Sequence, residues 1–260
     1  MLLVVDVGNT QTHFGVYRDG EDVVAEDWRF ATVRESTRDE LGARLASLLA
    51  LRGLGFTDID RSIVSSTVPQ LNDEWRAMAD RYLGHTMLVV GPALRTGMPI
   101  RIDNPREVGA DRLVNSVAAY DRVRDACVVV DFGTAITYDV VSAAGEYLGG
   151  IITPGAEISI DALYERAAKL PKVELAEPRT LIGKSTVEAI RSGIVFGFAG
   201  QVDGIVRRLR GELGEDTTVI ATGGLATSLV PAVRETIDEV DDLLTLTGLR
   251  LIWERNSPHQ

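Results

Sequence analysis

Val4-Val5-Asp6-Val7-Gly8-Asn9-Thr10 and Val129-Val130-Asp131-Phe132-Gly133-Thr134-Ala135 are two versions of one pattern, an apolar strand that ends in an aspartate and turns on a glycine. Asp131 follows Asp6 by 131 − 6 = 125 residues, close to half of the 260-residue chain. A second marker keeps the same phase: Gly20 stands fourteen residues after Asp6, and Gly145 fourteen after Asp131. Each falls where an apolar strand gives way to a polar turn. The echo predicts a duplicated fold with a phosphate-handling cleft between its halves.

Working outward, Leu2 to Asp6, Thr12 to Tyr17 and Val23 to Phe30 read as a meander of three strands, and Cys127 to Asp131, Thr137 to Val141 and Tyr147 to Ile152 repeat it. Helical spacing follows the first set in Leu41, Leu45, Leu48 and Leu49, then further strands at Ser62 to Ser65 and Met87 to Val90. Hairpins followed by helix and strand predict an α/β fold, a mixed five-stranded sheet flanked by helices in each half. Asn104-Pro105-Arg106-Glu107 carries the signs of a helix start, with Asn104 as N-cap, Pro105 at the first position and Glu107 completing a capping box. Leu113, Val117 and Tyr120 continue it, and the lobe boundary is placed there, giving lobes 1–113 and 114–260. A long helix from about Ser185 to Leu213 turns Val187, Ile190, Ile194, Phe198, Val202, Ile205 and Leu209 to one face, which makes it a core element. Gly193 and Gly197 within it each cost about 1 kcal/mol against alanine. Close approach of another helix, within the chain or across a dimer, would offset that cost.

Composition narrows the function classes. Hydrophobic residues make up 45% and charged residues 25% of a chain with net charge −11, which suits a globular protein and repels nucleic acid or an anionic membrane. The densest basic run, Arg207-Arg208-Leu209-Arg210, falls late in the long helix, where cations suit the dipole. Cys127 is the only cysteine, so an intrachain disulfide is impossible, and its Val-rich strand marks it as a small buried apolar residue. Only five apolar residues precede Asp6, too few for a signal peptide, and no apolar run approaches the roughly 20 residues of a membrane span. A cytoplasmic protein is expected.

Gly8-Asn9-Thr10 offers a tight turn with outward amides and side-chain donors, as phosphate binding requires. Asp6 beside it cannot hold phosphate directly but can hold Mg²⁺ through water; the alternative is an aspartate that caps a hairpin. Thr134 and Thr137 are the equivalent donors of the second turn, with strand pairing as the competing role for Thr137. Thr222-Gly223-Gly224, after the strand Thr218 to Ala221, would let a flat ring or sugar approach the main chain. Gly183-Lys184-Ser185 resembles the end of a P-loop, but Pro178 stands where that pattern requires glycine and no apolar strand leads in. His13, His85 and His259 lack metal-ligand spacing, so zinc is not expected. His13 could line a nucleotide site or be an ordinary strand histidine. Asp111, near the first turn of a helix, is placed where the dipole keeps a carboxylate ionised and ready to accept a proton, and Arg112 could grip an anionic group. A surface acid and base are the alternative.

Taken together, Asp6-Val7-Gly8-Asn9-Thr10, Asn104-Pro105 through Gly109-Ala110-Asp111-Arg112, Asp131-Phe132-Gly133-Thr134-Ala135, Gly183-Lys184-Ser185-Thr186 and Thr222-Gly223-Gly224 resemble type III pantothenate kinase, in that family's order and over almost the whole chain. The turns alone would indicate only the wider superfamily of actin, heat-shock chaperones, and acetate and sugar kinases. The resemblance implies two ribonuclease-H-like, actin-like ATPase lobes with a central nucleotide cleft, a homodimer, and ATP-dependent phosphorylation of pantothenate's primary hydroxyl, the first step of coenzyme A synthesis. It implies that Asp6, Val7, Gly8, Asn9, Thr10, Gln11, Thr12 and His13 cradle ATP phosphates and Mg²⁺, with Thr134 adding a nucleotide contact. Asp131 is then the ligand of a monovalent cation, potassium or ammonium. Gly109, Ala110, Asp111 and Arg112 bind pantothenate, with Asp111 as proton acceptor and Arg112 on the carboxylate, and Thr186 also contacts the substrate.

One departure stands out: Ile102 occupies the position where the family commonly carries a substrate-touching tyrosine. A lost phenolic hydrogen bond is worth about 0.5 to 1.5 kcal/mol. Two other readings are weighed. Another small-molecule kinase of the superfamily would keep the turns but not Gly-Ala-Asp-Arg with Gly-Lys-Ser-Thr, and a non-catalytic, nucleotide-binding transcription accessory factor is opposed by Asp111 and the acidic surface.

Overall fold

In a computed structural model, which describes residues 1–233 and 235–257, the chain divides into two compact units. The first takes Met1–Met98, Asp103–Ala118 and the segment from Leu243 on; the second takes Pro99–Ile102 and Ala119–Asp242. His259 lies outside the described residues.

The first unit opens with β1 (Leu2–Val7), β2 (Gln11–Tyr17) and β3 (Glu26–Ala31), an antiparallel meander. After α1 (Arg38–Ala50), strand β4 (Arg61–Ser66) returns parallel to β1, and α2 (Gln70–Met78) leads to the short β5 (Leu88–Val89). The sheet order is β3-β2-β1-β4-β5, which puts the near-continuous apolar run of β1 at the centre, covered on both faces. Thr37 caps α1, accepting from the Glu40 amide while Glu40 accepts from the Thr37 amide. Leu3, Val5, Phe14 and Val16 of the sheet then pack with Leu41, Leu45 and Leu49 of α1 and Trp75 of α2. Full burial of such a side chain stabilises by about 1.5–3 kcal/mol, so this layer holds the aspartate end of β1 in place.

The helix expected from Asn104 is two elements. Pro105–Glu107 is a single 3₁₀ turn, with Asn104 Oδ1 accepting from the Arg106 amide and Asn104 Nδ2 donating to Glu107 at 2.7 Å. The Glu107 carboxylate thus meets the side-chain amide of Asn104, not its backbone amide, so the expected capping box does not form. Extended Val108 ends the turn, and α3 (Ala110–Val123) starts afresh on the Gly109 carbonyl, which accepts from the Leu113 amide at 3.1 Å.

The second unit repeats the plan in β6 (Cys127–Phe132), β7 (Ala135–Val141) and β8 (Tyr147–Pro154). Helices α4 (Ala156–Arg166) and α5 (Thr186–Leu213) follow, then β9 (Thr218–Thr222), α6 (Ala226–Leu229) and β10 (Glu239–Val240). Read from β8, the order is β8-β7-β6-β9-β10, the order of the first sheet strand for strand. Gly20 and Gly145 both adopt left-handed backbone, with φ of +77° and +76°, so the in-phase glycines do occupy equivalent hairpin turns. Val195, Ala199, Val202 and Val206 are buried along α5, and the last three pack on Val128, Val130 and Tyr138. The basic run at its end is paired, Arg207 with Glu235 and Arg210 with Asp238 at 2.7 Å.

The last helix, α7 (Leu244–Asn256), belongs to the first unit and packs on β1 and β4. Gly248 allows it to meet α3, since a Cβ there would lie 2.1 Å from the Val114 carbonyl oxygen. Thr245 donates to buried Asn115 at 2.7 Å and fixes the same crossing.

Candidate active site

In the first unit, the turn between β1 and β2 is closed by the Gly8 amide on the Gln11 carbonyl at 3.0 Å. The Gly8 amide therefore points into the turn and not outward, as the sequence reading had it. Asn9, Thr10 and Gln11 are exposed on it, whereas Val7 and Thr12 are buried. Two neighbouring segments hold the turn. Thr67 donates its amide and hydroxyl to the Val7 carbonyl at 2.9 and 3.1 Å. On the other side the Thr32 amide donates to the Thr10 carbonyl at 2.9 Å, and the Thr12 and Thr32 hydroxyls meet at 2.9 Å. Asp6 stands between His13 and Ser65 in the strand register, and Ser65, fully buried, donates to its carboxylate at 3.1 Å. His13 is buried with Nε2 2.8 Å from Asp27 Oδ2.

Asp111 sits in the first turn of α3, as expected from its sequence context, and is partly buried. Its carboxylate folds back over Gly109, where a Cβ would come within 2.5 Å of Oδ1. Burial raises the Asp111 pKa above the ordinary carboxylate range, against the opposing pull of the Arg112 amide and its charge. Desolvation outweighs the helix terminus, and a raised carboxyl is closer to the tuning of a general base than a freely ionised one. Arg112 follows in the same turn and is also partly buried.

In the second unit the turn is one residue shorter: Phe132 pairs with Ile136, whereas Val7 pairs with Thr12. The Gly133 amide donates to the Ala135 carbonyl at 3.0 Å. Gly155, at the head of α4, presses on this turn, its amide 3.1 Å from the Thr134 carbonyl and a Cβ there only 2.3 Å from the same oxygen. Thr134 is exposed. Asp131 lies opposite Thr222 in the register, and a Cβ on Gly223, whose φ is +97°, would fall 2.3 Å from Asp131 Oδ1. Gly223 thus makes room for the carboxylate. Thr137 turns its hydroxyl to Asp139 at 3.1 Å along its own strand.

Thr186 opens α5 and is exposed, while Ser185 caps that helix by accepting from the Glu188 amide. Ile102 is held beside β8 by the Arg101 amide on the Tyr147 carbonyl at 2.8 Å. Three supporting residues escaped the sequence reading: Ser65 behind Asp6, Asp27 behind His13, and Gly155 beneath Thr134. The first could have been sought at the carboxyl end of the strand parallel to β1.

Comparisons with known proteins show which family the chain resembles. The family model described as type III pantothenate kinase matches residues 2–208. A type III pantothenate kinase of Moorella thermoacetica is 50% identical over 257 residues, 99% of this chain and 100% of that protein. Another, of Geotalea uraniireducens, is 49% identical over 256 residues, covering 98% and 99%. Among solved structures, a Sinorhizobium meliloti protein assigned as a 2-dehydro-3-deoxygalactonokinase matches with a TM-score of 0.62 over 100% of this chain and 98% of that one. At 13% identity this is a likeness of fold.

Proposed function

The chain belongs to the type III pantothenate kinase family, and from that premise we propose that it transfers the γ-phosphoryl group of ATP to the primary hydroxyl of pantothenate, giving 4′-phosphopantothenate and ADP. This is the first step of coenzyme A synthesis. The observation that carries the reading is identity of about half of all residues with such kinases over nearly the full length of both chains.

Phosphoryl transfer asks a protein mainly for positioning and charge stabilisation. Asp111 accepts the hydroxyl proton as the oxygen attacks phosphorus and the bond to the ADP oxygen breaks. Its raised pKa supports that role. Arg112 holds the pantothenate carboxylate, Gly109 and Ala110 line the substrate, and Thr186 and Ile102 complete its contacts. The turn from Asp6 to His13 and Thr134 hold the ATP phosphates. Asp6 offers a carboxylate steadied by the Ser65 hydroxyl, a hard oxygen donor that suits Mg²⁺ through water. Bound there, Mg²⁺ would neutralise triphosphate charge. Asp131, in the space that Gly223 leaves, suits potassium or ammonium.

A homodimer through α5 is part of the proposal. Gly193, Gly197, Gly200 and Gly204 fall on one helical face, and among the described residues no atom beyond the helix's own nearby backbone lies within 4 Å of a Cβ at the first three. Phe196 is 40% exposed on the same helix, and Leu181 and Ile182 just before it are 68% and 78% exposed. A second copy of α5 approaching the glycines would offset their cost in the helix. The single buried cysteine, Cys127, its thiol pushed up to about 12 by burial, fits a reducing cytoplasm. No helix among the described residues is long and apolar enough to cross a membrane.

The Asp111 assignment is tested with Asp111→Asn. The variant should bind ATP as the wild type does and lose turnover by roughly 10²–10⁴-fold. Near-normal turnover of the purified variant would sink it.

A further inference from the structure

The segment that follows β3 closes over the phosphate turn of the first unit and carries one cation to it. The Thr32 amide on the Thr10 carbonyl and the paired Thr12 and Thr32 hydroxyls fix its start. A tight turn from Val33 to Ser36, closed by the Ser36 amide on the Val33 carbonyl at 3.1 Å, projects Arg34 from it. Arg34 is exposed, and its Nη2 lies 3.4 Å from Asn9 Oδ1. Ser36 is buried and Thr37 caps α1, so the backbone on both sides of Arg34 is anchored while its guanidinium stays in solvent.

Two consequences follow from the chemistry of these groups. An amide whose oxygen accepts from arginine presents its Nδ2 hydrogens on the other side, so Arg34 sets Asn9 as a donor. The guanidinium also brings a positive charge with several donors to a turn whose own acidic side chain is Asp6. Resting on the kinase reading above, we propose that Arg34 is a further ATP-binding residue, which grips a phosphate oxygen of the triphosphate and orients the Asn9 amide towards the same anion.

The test compares wild type, Arg34→Gln and Arg34→Lys, measuring ATP binding by calorimetry without pantothenate, and KM for both substrates. Arg34→Gln should weaken ATP binding about 10-fold and flatten its salt dependence, leaving KM for pantothenate within twofold and thermal stability unchanged. Arg34→Lys should recover part of the loss, because it restores charge but not the fork. ATP binding by Arg34→Gln within twofold of wild type would overturn the proposal. So would an equal rise in both KM values, which would mark a general structural effect. A wild type that binds ATP but leaves pantothenate unmodified would sink the kinase reading alone, and the Arg34 comparison would still stand. One that binds no ATP would sink both.

Discussion

Gly248→Ala, a change far from any reacting atom, should cost both stability and turnover. In an open helix the same change gains up to about 1 kcal/mol. Here the new methyl would lie 2.1 Å from the Val114 carbonyl oxygen and 2.7 Å from Val114 Cγ1. A comfortable contact is about 3.5 Å, so α7 and α3 must part by roughly 3.5 − 2.1 = 1.4 Å at that point. Overpacking of this kind costs about 1–3 kcal/mol, and because backbone is the obstacle the upper figure applies. The net loss is then about 2 kcal/mol, a factor of about 30 in the folding equilibrium and roughly 4–8 °C in Tm. Val114 lies one helical turn beyond Asp111, so the shift reaches the proposed base, and a misplacement near 1 Å can cost about 10²-fold in rate. Thermal unfolding and kcat are measured beside Gly211→Ala, at an α5 position where no described residue beyond the helix's own nearby backbone comes within 4 Å of a Cβ and a stabilisation of up to about 1 kcal/mol is expected. A Gly248→Ala protein as stable and as active as wild type would refute the reasoning.

Other outcomes follow from the site. Because burial raises the Asp111 pKa, the acid limb of kcat/KM should lie above the ordinary carboxylate range, with activity lost as pH falls through it; a limb near pH 4 would contradict the assignment. The same shift means that the folded chain holds this proton more tightly than the unfolded one, so its stabilising effect is present at low pH and lost as pH rises through the folded pKa. Asp111→Asn should therefore raise Tm at pH 8, and a lowered Tm there would count against a desolvated carboxylate. Asp131→Ala should abolish the response of turnover to potassium, and an unchanged potassium titration would refute its role. Gly197→Leu should convert dimers to monomers in sedimentation equilibrium, and an undisturbed dimer would move the interface off the α5 glycines.

Most of the sheet architecture was legible because the decisive strands repeat. Val-rich runs ending in Asp6 and Asp131 announced two central strands, and the in-phase Gly20 and Gly145 announced two equivalent hairpins, all of which the structure contains. Pairing between distant strands was not legible, since nothing local marks Ser65 as the neighbour of Asp6. The break at Val108 was hidden by a good helix-start signal that serves only one 3₁₀ turn. For Asp111, its position near a helix start could be read from sequence, but its pKa could not. A helix terminus is visible in sequence and favours ionisation, whereas the desolvation that outweighs it comes from tertiary burial. The place of α7 in the first unit depends on its crossing with α3, and Gly248 looks like any other helical glycine until Val114 is set against it.

The central claim is tested most directly by ADP release from purified protein and ATP, with and without pantothenate, in potassium and in sodium buffer. The account predicts ADP formation that requires pantothenate, is faster in potassium, and matches the phosphopantothenate formed mole for mole. ADP release indifferent to pantothenate, or none under any of the four conditions, would contradict it.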